Sequence, residues 1–91
     1  MILIKVSATS KPTMVAGSIA GQIRERGCVT VQAIGAGAVN QAVKSLIKAG
    51  SYLADEQVKL AITPSLVMVD IDGRECTAVR FEVSNADNRG C

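Results

Sequence analysis

Residues 31 to 44 read Val31-Gln32-Ala33-Ile34-Gly35-Ala36-Gly37-Ala38-Val39-Asn40-Gln41-Ala42-Val43-Lys44. An extended, mostly apolar run passes through a glycine-alanine turn straight into a helical pattern. Val39, Ala42, Val43, Leu46 and Ile47 fall on one predicted helix face, and Asn40, Gln41, Lys44, Ser45 and Lys48 on the other. A strand that feeds a helix across so short a turn is half of a parallel crossover, which sets the fold class. The turn glycines tolerate unusual backbone angles and allow another backbone, or a phosphate, to come close.

Upstream of this joint, Ile2 to Ser7 alternates apolar and polar residues and predicts a first strand. Ser10 is placed to N-cap a helix that has Pro12 in its first turn and runs to about Arg26. Val15, Ile19 and Ile23, joined by Ala16 and Ala20, form its predicted buried stripe. Gly17 and Gly21 on the adjacent ridge each cost about 1 kcal/mol of helix propensity, which predicts a close approach there. Gly27 suits the C-terminal cap, and Arg24 and Arg26 suit the negative end of the helix dipole. Cys28 to Ile34, nearly all apolar, predicts an interior strand.

Downstream, the second helix is expected from Ala38 to about Leu53, with Gly50 weakening its last turn. Val58 to Thr63 predicts a third strand, Pro64 a bulge or break, and Leu66 to Ile71 a resumed extension. Asp72-Gly73 is a two-residue hairpin signal, and Cys76 to Val83 predicts the fourth strand. The order is βαβαββ. It implies an α/β two-layer sandwich: a four-stranded mixed sheet with two helices on one face. Residues 1–84 form the expected single domain, and residues 85–91 a polar C-terminal tail.

Ninety-one residues give a small core, yet 48% are hydrophobic and the mean hydropathy is +0.30. Tyr52 and Phe81 are the two aromatics. So small and apolar a domain predicts that a second copy covers part of its surface, as a homodimer. The apolar start reaches Lys5 without a basic leader, and the run from Leu60 to Val69 is too short to span a bilayer, so no membrane association is expected. There is no His, and Cys28, Cys76 and Cys91 lack metal-ligand spacing. These features predict a cytoplasmic protein with no metal and no cofactor, in which Cys28 and Cys76 are core thiols.

Catalysis finds little support. Asp70 and Asp72 could share a metal or a proton, but they flank a turn that favours aspartate for its own geometry. Asp70-Ile71-Asp72-Gly73 starts like a calcium loop and lacks the remaining ligands. No nucleophile has an evident base, so a non-enzymatic protein is expected. The Gly35-Ala36-Gly37-Ala38 turn is a possible phosphate-contacting element. Asn40 stands where a dinucleotide fingerprint needs its third glycine, however, and no Walker-type loop is present. Residues 1–50 carry six cations against Glu25 alone, a net of +5, whereas residues 51–91 carry four cations against seven acids, a net of −3. Asn40, Lys44 and Lys48 are spaced by four along the second helix, and Lys11 lies at the mouth of the first. Such donors can contact phosphates, and the same spacing also describes a solvated helix face.

Several blocks together carry a family resemblance: Ile4-Lys5-Val6-Ser7, Ser10-Lys11-Pro12, Val15-Ala16-Gly17, Ile23 to Gly27, Gln32 to Ala38 with Asn40 to Lys44, and Ile71-Asp72-Gly73 with Thr77-Ala78. In this pattern the chain resembles the stage V sporulation protein S family from residue 2 to about 83. The resemblance implies a small cytoplasmic bacterial regulator, linked in spore formers to late sporulation and found also in bacteria that do not sporulate. A more distant resemblance is to Alba, the archaeal chromatin protein, whose βαβαββ order is the same. Lys11 matches the second lysine of Alba's DNA-touching lysine-lysine-proline loop, and Ser10 departs from the first. Gly35 to Ala38 aligns with an Alba turn whose arginines are missing here. The hairpin tip, which in Alba reaches toward the minor groove, offers Arg74 among Asp70, Asp72 and Glu75.

The expectation is therefore an Alba-like homodimer that binds DNA or RNA through Lys11, Asn40, Lys44, Lys48 and Arg74. Binding should be weakly sequence-selective and steeply salt-dependent. The alternatives are a protein-protein adaptor and, less favoured, a small anionic ligand at Gly35 to Ala38.

Overall fold

The computed structural model describes residues 2–87. Its elements follow the order β1 (Leu3–Val6), α1 (Pro12–Arg26), β2 (Cys28–Ala33), α2 (Ala36–Ala54), β3 (Leu60–Ile71) and β4 (Arg74–Asn85). The four strands form one sheet in the order β1-β2-β4-β3. β1 and β2 are parallel, and β4 runs antiparallel to both β2 and β3. This is the expected mixed sheet and α/β two-layer arrangement.

Strand periodicity divides the sheet into two faces. Val29, Val31 and Ala33 of β2 pair with Val83, Phe81 and Val79 of β4, and all lie on the face that meets the helices. α1 adds Ala16, Ile19, Ala20 and Ile23 to the core. The opposite face of β2 is buried too, which a two-layer sandwich does not require. Thr30 is 2% and Gln32 7% exposed because long side chains of β4 lie across them. Thr30 Oγ1 donates to Glu82 Oε2 at 2.9 Å, and Arg80 Nε donates to Gln32 Oε1 at 2.8 Å. These cross-strand pairs satisfy the polar atoms that burial would otherwise leave unpaired.

The structure corrects several local expectations. α2 is rolled relative to its predicted face. Ala38, Ala42, Ser45, Leu46, Ala49 and Leu53 are buried, whereas Val43 and Ile47 are exposed. Ser45 fits this interior because its hydroxyl donates to the Gln41 carbonyl at 2.7 Å. Ser10 is not the N-cap of α1; Lys11 holds that position without a side-chain cap bond, and Ser10 Oγ instead accepts the Ser7 N–H at 2.9 Å. Among the described residues nothing lies within 4 Å of a Cβ built at Gly17 or Gly21, so no close approach there explains them. β3 passes through Pro64 unbroken, since it is an edge strand where a missing N–H can face outward. Asp72 and Gly73 have φ of 51° and 80°, the signature of a type I′ hairpin turn. Cys76 is a free, half-buried thiol, while Cys28 is disulfide-bonded rather than a free core thiol. The expected tail begins inside β4: Asn85 N–H donates to Gly27 O at 3.0 Å, and Ala86 N–H to Lys59 O at 2.7 Å. The rest of that tail, from residue 88, lies outside the described residues.

Candidate nucleic-acid interface

Because β1 and β2 are parallel, they end at the same pole of the sandwich, and both helices start there. Two contacts lock the two starts together. Gln41 Nε2 donates to the Ser10 carbonyl at 2.8 Å. A Cβ added at Gly37 would sit 3.0 Å from the Ala8 Cβ, so a larger residue there crowds the loop that follows β1 and requires it to shift. Gly35 has φ 91° and ψ 155°, a region that only glycine adopts readily. The two glycines are thus required for different reasons: Gly35 turns the chain, and Gly37 lets the loop come close.

Neither helix start carries a side-chain cap or an acidic residue in its first turn. The positive ends of both dipoles therefore stand unneutralised at one pole. Around them the loop gathers hydroxyls, with Ser7 Oγ 3.1 Å from Thr9 Oγ1 and 3.2 Å from Ser10 Oγ. Lys11 and Asn40 are exposed at this pole, and Lys44 and Lys48 continue one and two turns down α2. Of the turn residues, Gly35, Ala36 and Gly37 reach solvent, while Ala38 is buried at 3% exposure. Among the described residues no ion pair engages Lys11, Lys44, Lys48 or Arg74.

Arg74 is brought to the same end by the length of the hairpin. β2 stops at Ala33, across from Val79, so the rest of β3 and β4 overhangs the pole as a free two-stranded arm. Arg74 stands five residues beyond Val79, about 16 Å along the strand. Its partner Ile71 points to the face away from the helices, so Arg74 and the lysines flank the pole from opposite faces. Asp70 and Asp72 do not converge: Asp70 lies directly across from Glu75, and Asp72 forms the turn.

Sequence reasoning missed two features of this region. The Gln41 tie joins residues 31 positions apart and left no local signal. The hydroxyl cluster did leave one, the density of Ser and Thr between Ser7 and Ser10. The opposite pole carries an exposed ion pair, Arg24 Nη2 to Glu56 Oε2 at 2.7 Å. That contact raises the Arg24 pKa and lowers the Glu56 pKa, chiefly through the hydrogen bond between them.

Strand order, helix placement and overhanging hairpin define a protein of Alba-like βαβαββ topology. Within that class the match is specific: the family model described as Stage V sporulation protein S (SpoVS) covers residues 2–86. The chain belongs to the stage V sporulation protein S family. Among the described residues no helix is long and apolar enough to cross a membrane.

Proposed function

We propose that this chain is a non-enzymatic cytoplasmic regulator that acts as a homodimer and binds nucleic acid at the pole where both helices begin. One observation carries the reading: two uncapped helix N-termini, held together by Gln41 and Gly37, share an exposed surface with Lys11 and Asn40. Backbone N–H groups and cations of this kind hold phosphates without reading bases. Lys44 and Lys48 extend the basic strip, and Arg74 reaches a phosphate from the arm. Tyr52 and Phe81, the two aromatics, lie on α2 and in the core, so contacts to the phosphate backbone rather than base stacking carry the affinity.

Duplex DNA and RNA titrated at two salt concentrations test this. The expected result is binding that weakens steeply with salt, with the slope reduced by about one when Lys11→Ala removes a phosphate contact. No binding at low salt, or binding indifferent to Lys11→Ala, overturns it and leaves the adaptor reading.

A further inference from the structure

The sheet face away from the helices has its charges sorted. Strand alternation and register put Leu3 and Lys5 of β1, Thr30 and Gln32 of β2, and Arg80 and Glu82 of β4 on this side. Arg74 stands here too, whereas Asp70 and Glu75 of the same hairpin are on the other side. Among the described strand residues, Glu82 is thus the one acid on this face, against Lys5, Arg74 and Arg80.

Two adjacent rows of side chains cross the face, and they differ. In one, Thr30 Oγ1 donates to Glu82 Oε2 at 2.9 Å, a donor matched with an acceptor. In the other, register sets Lys5, Gln32, Arg80 and Ser65 side by side, one from each strand, at steps of about 4.8 Å. Arg80 Nε donates to Gln32 Oε1 at 2.8 Å, which leans the guanidinium over β2 toward Lys5. Because arginine only donates, this bond fixes which end of the amide meets Arg80 and leaves Nε2 as the free end. Gln32 is 7% exposed, so packing holds that amide in place, yet Nε2 is not sealed from solvent. The row then offers an ammonium, an amide N–H2, two guanidinium Nη groups and a hydroxyl. None of these has a partner among the described residues.

We propose that this row holds the phosphate of a small phosphate monoester. Charge decides against a carboxylate. A monoester brings about two negative charges and three terminal oxygens, which match Lys5, Arg80 and the donors between them. A carboxylate balances one cation and leaves the other bare. The carbon body of the ligand has a place beside the row. Toward the hairpin tip the next residues on this face are Ala78, fully buried, and Val67 and Val69, half-buried, which make an apolar floor. The site lies across the sheet from both helix starts and does not rest on the nucleic-acid reading.

The probe is phenyl phosphate, titrated into the full chain at about pH 8, where its second proton is lost. Binding is followed by NMR at the Gln32 side-chain amide, with the backbone spectrum confirming that each variant is folded. A saturable shift of that amide is expected. Inorganic phosphate, without the apolar body, and benzoate, without the second charge, should bind more weakly. Lys5→Gln should weaken phenyl phosphate binding by about fivefold or more, and so should Arg80→Lys, which keeps the charge and loses the planar fork. Lys11→Ala should change nothing here, which separates this site from the pole. The proposal is overturned by the lack of a saturable shift, or by binding indifferent to both Lys5→Gln and Arg80→Lys. Benzoate or inorganic phosphate binding as tightly as phenyl phosphate overturns it too, as does a loss on Lys11→Ala, which would assign the phosphate to the pole.

Discussion

At the pole where α1 and α2 end, internal bonds tie the chain together. Gly27, with φ 81°, donates its N–H to Ile23 O at 2.9 Å, and its own carbonyl accepts from Asn85. Val58 N–H reaches back to Leu53 O at 3.2 Å, and the Arg24 guanidinium grips both oxygens of Glu56. At the pole where the helices begin, the loops are tied to each other, yet the helix ends carry no side-chain cap and, among the described residues, the cations form no ion pair. The same sandwich thus has one end tied by backbone bonds and an ion pair, and one end with exposed, uncapped helix starts. Exposed donors and charge at a helix start suit an anionic partner, and this contrast underlies the phosphate-binding reading.

The contrast can be broken most severely at Gly35. Gly35→Val forces a branched residue into a glycine-only conformation and should lower unfolding free energy by about 2 kcal/mol or more, read from a urea midpoint. Gly37→Ala should be milder, about 1 kcal/mol, because the Ala8 methyl 3.0 Å away must shift. A comparable loss, about 1 kcal/mol, is expected for Gln41→Leu, which strips the Ser10 carbonyl of its partner and loosens one helix start from the other. Each of these should reduce nucleic-acid binding along with stability. Lys11→Ala, in contrast, should leave the urea midpoint unchanged and affect binding alone. That separation sharpens the contrast, since a cation held for a partner contributes nothing to the fold.

The smallest effect belongs to the other pole. Arg24 holds the Glu56 carboxyl below its usual range, so the pair's contribution is complete at neutral pH, where the unfolded chain's carboxyl is ionised too. It is lost as pH falls through the lowered folded value. Glu56→Gln should therefore narrow the stability difference between neutral and acidic pH, and added salt should shrink the effect because the pair is exposed. An acid profile identical to wild type would show that the pair is only a surface contact.

Much of the candidate site could be read from residues 31 to 44, though not its reach. The glycine-alanine turn, the helix after it and the placing of Lys11 beside a helix start all follow from local rules. Helical spacing gave Val43 and Ile47 the wrong side, because three adjacent ridges of α2 are apolar or small and only packing selects among them. The Gly17 and Gly21 ridge misled for a related reason: low helix propensity signals a constraint without naming it, and nothing among the described residues supplies one. Arg74 comes to the same pole as Lys11 because the arm overhangs it, since β4 outruns β2.

The sequence by itself determined the βαβαββ order, the Asp72-Gly73 turn and the need for glycine at position 35. Each depends on torsions and periodicities within a few residues. Only the tertiary structure decided which ridge of α2 is buried, that β3 lies at the edge and tolerates Pro64, and that Thr30 and Gln32 lie hidden beneath Glu82 and Arg80. It also decided that Lys11, Asn40 and Arg74 gather at one end. Those outcomes come from pairings between residues far apart in the chain, and no local propensity encodes which strand becomes whose neighbour.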